Sequence, residues 1–145
     1  MNRLEVLSAD LAAQVHRATP AKRRAACLAA CELAVAKVEI EHPLVDSALQ
    51  QLRVGRVFTS QEKAEIDTLT EQLDEQYFEL QQTAEKGNAT YADHLRAFAR
   101  ARAVAALSFA GSDSREDAAD AIYEAAAAVG DDKREFFAKI NFALK

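Results

Sequence analysis

Residues 59–86 read TSQEKAEIDTLTEQLDEQYFELQQTAEK, and this stretch decides the fold class. Thr59 followed by Glu62 has the spacing of a capping box, which predicts that a helix begins here. Apolar residues then recur at helical spacing and predict one buried stripe: Ile66, Leu69, Leu73, Tyr77, Leu80 and Ala84. A long amphipathic helix of this kind needs other helices to cover its stripe.

The same segment carries more negative charge than the whole chain. From residue 60 to residue 86, eight carboxylates stand against two lysines, a balance of −6, while the full chain has −5. Helical spacing places four of the acids on one side: Asp67, Glu71, Asp74 and Glu85. Phe78 falls among them, away from the apolar stripe. A solvated outer face is the plain interpretation, whereas a one-signed field around an exposed aromatic favours a surface for a basic partner.

The rest of the chain also contains signals for the start and end of helices. Helices are predicted at about residues 3–17, 20–38, from 43 to a stop at Gly55, 59–86, 89–110, 115–129 and 133–144. Two prolines and four glycines leave little turn punctuation for a sheet. Short linkers predict antiparallel neighbours. We therefore expect an all-α, single-domain antiparallel bundle of about seven helices over residues 1–145.

Composition and charge narrow the classes of function. A pI near 5.2 argues against a nucleic acid partner, because phosphate binding needs a basic face. No run approaches the roughly 18 apolar residues of a membrane span, and residues 1–5 contain no apolar signal-peptide core. No phosphate loop, dinucleotide fingerprint or esterase elbow is present. We expect a cytoplasmic protein that is not an enzyme, needs no cofactor and binds neither nucleic acid nor membrane.

Two features raise the possibility of a metal site. Cys27 and Cys31 lie one turn apart on the apolar seam of the second helix, which favours buried thiols over a disulfide. Zinc held by both cysteines and a distant histidine is the alternative. Glu39 and His42 have the spacing of carboxylate di-metal bundles, but that architecture needs two such motifs and two further glutamates. Pro43 also breaks the helix there, so we expect no metal site.

Arg102 is the most anomalous single residue. It falls in the middle of the apolar sector of the fifth helix, between Phe98 and Phe109. A guanidinium in that position must be paired, because an unpaired buried charge is very costly. We expect a buried ion pair with an acid of a neighbouring helix. The alternative is an arginine at the floor of a groove, serving a small ligand or an enzymatic reaction.

Three segments resemble a known class of proteins: ACLAACELA at residues 26–34, HPLV at 42–45 and AIYEA at 121–125. The chain resembles small helical immunity proteins encoded in bacterial polymorphic-toxin and contact-inhibition loci. The resemblance assigns no functional residues. It implies a cytoplasmic, non-catalytic inhibitor that binds and occludes a cognate toxin, and an acidic body suits the basic active sites of toxins that act on nucleic acid.

The leading hypothesis is therefore a protein-binding module with a basic partner, such as a toxin domain. Its binding face is expected at Asp67, Glu71, Asp74 and Phe78. The first alternative is a structural or adaptor bundle, including a homo-oligomer, whose acidic stripe is merely solvated. The second is a ligand-binding or enzymatic domain that uses a groove around Arg102.

Overall fold

Most of the chain that the structure describes is helical. The computed structural model describes residues 2–85, 87 and 91–145, without the side chains of residues 84, 85 and 91. Over these residues the helices are α1 (Arg3–Leu7), α2 (Ala9–Arg17), α3 (Pro20–Val38), α4 (Pro43–Arg53), α5 (Ser60–Glu85), α6 (Tyr91–Ala110), α7 (Arg115–Val129) and α8 (Arg134–Leu144). No strand occurs in the same residues. The all-α prediction is confirmed.

The predicted first helix is divided into two. Ser8 has an extended backbone, with φ −159° and ψ 106°, and its hydroxyl accepts a hydrogen bond from the backbone N–H of Leu11 at 3.2 Å. A serine that caps the following helix ends the preceding one, because its backbone leaves the helical region. The described residues therefore form eight helices where about seven were expected.

Side-chain caps set the start of α5 as predicted. The Thr59 hydroxyl accepts from the backbone N–H of Glu62 at 3.1 Å, and the Glu62 carboxylate accepts from the backbone N–H of Thr59 at 2.9 Å. The capping box is confirmed. The N–H of Thr59 and the side-chain amide of Gln51 both donate to Glu62, and they lower the pKa of its carboxyl.

One set of buried apolar side chains draws on all eight helices. The largest of those that are fully buried are Leu4, Val15, Cys31, Val45, Val104, Leu107, Ile122, Phe136 and Ile140. Helices α3, α6 and α7 lie at the centre, where each contacts the other two. Many of their buried positions are alanines, which allow helices to approach closely.

Helix α5 lies at the side of this core. It packs chiefly on α6, with a smaller contact to α4. Ile66, Leu69 and Leu73 of its predicted stripe are buried. The two helices run antiparallel, since Asp67 contacts Ser108 while Asp74 contacts Arg102. This arrangement leaves the opposite side of α5 uncovered by the described helices.

Cys27 and Cys31 are buried, as predicted, and both are free thiols. Burial raises the pKa of the Cys27 thiol to about 12 and raises that of the Cys31 thiol well above its ordinary value. Across residues 2–85, 87 and 91–145, no three His, Cys, Asp or Glu side chains are grouped as a metal site would require. Nor does any helix in that part of the chain have the length and apolar character needed to cross a bilayer.

Candidate functional site

The four side chains expected to form a binding face lie along one side of α5. They follow each other at intervals of four, three and four residues, which is one helical stripe. The structure divides them into two kinds. Asp67 and Asp74 are half-buried and contact α6, whereas Glu71 and Phe78 are exposed.

Asp74 is paired with Arg102. The Nη2 atom of Arg102 donates to both carboxylate oxygens of Asp74, at 2.9 and 3.1 Å, and its Nη1 atom donates to Glu124 at 3.0 Å. Only 21% of the Arg102 side chain is exposed. The guanidinium is thus held between two carboxylates of neighbouring helices. This geometry favours the ion pair over the groove, because both terminal nitrogens already have acceptors.

Glu124 connects Arg102 to the N-terminal helix. It is 4% exposed, and its second oxygen accepts from Nη1 of Arg3 at 2.7 Å. Arg3 also pairs with Asp120 at 3.3 Å and lies over the ring of Tyr123, 4.6 Å from its centroid. We call Asp74, Arg102, Glu124, Arg3 and Asp120 the Arg102 network. It links α5, α6, α7 and α1.

Glu124 and Arg3 were not identified from the sequence. The available signal was the one carboxylate in residues 121–128, which are otherwise alanine, isoleucine and tyrosine, at a position where an apolar side chain would fit the core. Arg3 lies 121 positions away from Glu124, so no local pattern could connect the two residues.

Asp67 is also committed to α6. It accepts a hydrogen bond from the Ser108 hydroxyl and pairs with Lys63 at 3.3 Å. Lys63 donates in turn to Ser108 at 2.7 Å. The charge of Asp67 is therefore largely offset by a cation on its own helix.

Three further acids form a row on the exposed side of α5. Glu71, Glu75 and Glu79 follow each other at intervals of four and are all exposed. None of them has an ion pair among the described residues. Like charges at this spacing weaken an isolated helix by roughly 0.2–0.5 kcal/mol per pair. Helix stability therefore gives no reason for this row. Glu85, the last acid of the expected stripe, has a side chain outside the described residues.

Phe78 lies beside this row of glutamates. Its side chain is 57% exposed, so it does not belong to the core. It contacts the ring of Tyr77 with the centroids 5.2 Å apart, and Tyr77 stacks on His94 of α6 at 4.6 Å. The Phe78 ring thus packs on its inner side against Tyr77, which is itself held by His94, while its outer side is exposed. We call Glu71, Glu75, Phe78 and Glu79 the α5 face.

Comparison with protein-family models found no match, and comparisons with curated proteins and with solved structures found no significant similarity.

Proposed function

We propose that the protein is a non-catalytic, cytoplasmic protein-binding module of one domain, which engages a basic protein through the α5 face. Its most specific form is an immunity protein that binds and neutralises a bacterial toxin. The observation that carries the proposal is Phe78, an aromatic that is 57% exposed beside a row of unpaired glutamates. Exposed aromatics within a patch are frequent binding anchors.

The charges and the aromatic have different tasks in this proposal. Glu71, Glu75 and Glu79 attract a basic partner over distance and accelerate encounter. Phe78 then anchors the complex, since apolar burial mainly slows dissociation. Asp67 and Asp74 act from the edge of the face, where their bonds to α6 hold α5 in place. A face held rigid before binding loses less conformational entropy on association.

The same charge distribution weighs against the alternatives. A symmetric homodimer formed through the α5 face would bring acid against acid, which is repulsive. A foreign basic partner suits the face better than a second copy does. A catalytic or ligand-binding role for Arg102 has less support, because its terminal nitrogens are occupied by Asp74 and Glu124.

The proposal is tested by site-specific photocrosslinking in the native host. A photoreactive phenylalanine analogue is placed at position 78, and for comparison at position 142. Phe142 lies on α8 and is 79% exposed, so it is a matched control. We expect a discrete crosslinked protein of high pI from position 78 only. Equal products from both positions, or no product from position 78, would contradict the proposal.

A second step separates an immunity protein from an adaptor. The crosslinked partner is expressed alone and together with this chain in a bacterial host. An immunity function predicts growth arrest by the partner alone and rescue on co-expression, with loss of rescue for Phe78→Ala. A partner that is harmless when expressed alone supports the adaptor instead.

A further inference from the structure

A second charged surface lies on α6, on the side opposite to Arg102. It is a groove of about 480 Å³ between the end of α3, the first half of α6 and the end of α7. Its lining residues are Lys37, Val38, Glu39, Arg96, Ala99, Arg100 and Ala128. Three cations face one acid there, although the whole chain has a net charge of −5. We call it the α3–α6 groove.

The two arginines of the groove have few acidic partners. The guanidinium of Arg100 has no ion pair or hydrogen bond within the described part of the chain, and its Nε atom is buried without a partner. Among the residues that the structure describes, Arg96 pairs with Asp93 alone, at 3.6 Å. Lys37 has a separate reason for its place, since a cation in the last turn of a helix interacts well with the helix dipole. The two arginines have no such reason, and their mutual repulsion is unfavourable.

The backbone at the rim of the groove is strained. Glu39 has φ 54° and is left-handed, the one non-glycine residue with positive φ in residues 2–85, 87 and 91–145. Helices that end this way normally have glycine at the position, because a Cβ is disfavoured there. This left-handed cap ends α3 and places Glu39 at the rim of the groove.

We propose that the α3–α6 groove binds a small organic oxyanion, bearing carboxylate or phosphate groups. Arg100 and Arg96 supply guanidinium groups that match planar or tetrahedral oxyanions with two hydrogen bonds each, and Lys37 adds charge. Val38, Ala99 and Ala128 provide an apolar wall for the carbon skeleton. The volume lies within the roughly 300–1,000 Å³ of small-molecule sites. This site is separate from the α5 face and does not depend on it.

Calorimetric titration of the full chain with inorganic phosphate and with citrate, at low ionic strength, tests the proposal. We expect one saturable site for at least one of the two anions, with a dissociation constant of about 1 mM or below. Arg100→Gln should weaken binding about tenfold, because one bidentate contact is lost. Glu39→Gln should strengthen binding by about twofold or more, because a repelling charge is removed. Binding of citrate alone assigns a carboxylate ligand, and binding of phosphate alone assigns a phosphorylated one.

The matched control is Arg53→Gln. Arg53 is an exposed arginine of α4, paired with Glu32 at 3.3 Å, and does not belong to the groove lining. Arg53→Gln should change the dissociation constant of the anion by no more than about twofold. Equal weakening by the Arg53 and Arg100 variants would show non-specific attraction and overturn the proposal. So would the absence of saturable binding, or anion-induced amide shifts in NMR spectra that fall outside residues 37–39, 96–100 and 128.

Discussion

At the scale of the residue, Glu124 is the most unusual group in the molecule. It is a carboxylate with 4% exposure that accepts from two arginines, Arg3 and Arg102. A buried charge is costly unless it is paired and hydrogen-bonded, and here both oxygens are satisfied. Each arginine also has a second, more exposed carboxylate, Asp120 or Asp74. The Arg102 network therefore has a buried centre and hydrated ends.

Removing Arg102 should destabilise the fold. We expect Arg102→Ala to lower the free energy of unfolding by about 2–4 kcal/mol, because it leaves Asp74 and half of Glu124 without a partner. Arg3 still satisfies the other oxygen of Glu124, which limits the loss. Arg102→Met should be better tolerated when Glu124→Gln is present as well. Urea denaturation measures both effects.

The control for this prediction is Arg96→Ala on the same helix. Arg96 is 60% exposed and its pair is long, so the free energy of unfolding should change by only about 0.5 kcal/mol or less. An unchanged denaturation midpoint for Arg102→Ala would mean that the network contributes nothing to stability.

The buried thiols predict a pH dependence. Burial raises the pKa of Cys27 from 9.0 to about 12 and raises that of Cys31 as well, so both thiols stay protonated in the folded state at pH values where the unfolded chain loses their protons. Their contribution to stability is complete below pH 9 and is lost as the pH rises from there toward 12. In that window, each thiol should lower the free energy of unfolding by up to about 1.4 kcal/mol per pH unit.

The measurement is the free energy of unfolding between pH 8 and pH 11, for the native chain and for the double variant Cys27→Ala, Cys31→Ala. The variant should show a shallower alkaline decline, whatever its stability at pH 8. Native thiols should also react slowly with Ellman's reagent and faster on unfolding. Identical alkaline slopes in the two proteins would contradict the assignment of buried, protonated thiols.

At the scale of the element, the loop that precedes α5 is bonded to the C-terminal end of α6. The backbone N–H of Phe58 donates to the carbonyl of Gly111 at 3.0 Å, and the Phe58 ring covers Gly111. A Cβ at Gly111 would lie 2.0 Å from the ring. Phe58 thus ties the α4–α5 loop to α6 before the capping box begins. The position of the α5 face therefore depends on two contacts with the α6 side of the molecule. They are the Phe58–Gly111 contact before α5 and the Asp74–Arg102 ion pair within it.

Gly111→Ala should displace the Phe58 ring. We expect it to lower the free energy of unfolding by about 1–3 kcal/mol, because an inserted methyl forces side chains out of place. In a Phe58→Ala background the same substitution should cost less than about 0.5 kcal/mol, since the obstructing ring is gone. Equal costs in the two backgrounds, measured by urea denaturation, would show that steric contact with Phe58 is not the cause.

Elements whose signals are local were predictable from the sequence. Thr59 and Glu62 form the expected capping box, and α3 and α7 have the expected bounds. Ser8 was missed because the apolar periodicity continues across it, although its side chain caps α2. The Phe58–Gly111 contact joins residues 53 positions apart, and neither has a local signal. Arg102 was recognised by its apolar neighbours, but its partners on α5 and α7 could come only from the packing.

At the scale of the whole molecule, the charges are segregated. The α5 face is acidic and uncompensated, and the α3–α6 groove gathers cations on another side of α6. The Arg102 network lies between helices, and its two arginines are paired with its three carboxylates. The surface thus carries one acidic region, the α5 face, and one basic region, the α3–α6 groove. We infer that the acidic surface is for a protein and the basic groove for a small anion.

The central claim is that the α5 face binds a basic partner, and binding kinetics with the crosslinked partner test it most directly. Glu71→Lys should lower the association rate and weaken its dependence on salt. Phe78→Ala should raise the dissociation rate by about thirtyfold, equivalent to about 2 kcal/mol. Both variants should remain nearly as stable as the native chain, and Phe142→Ala should bind normally. Normal binding by Phe78→Ala together with a large loss of stability would place Phe78 in the core and contradict the account.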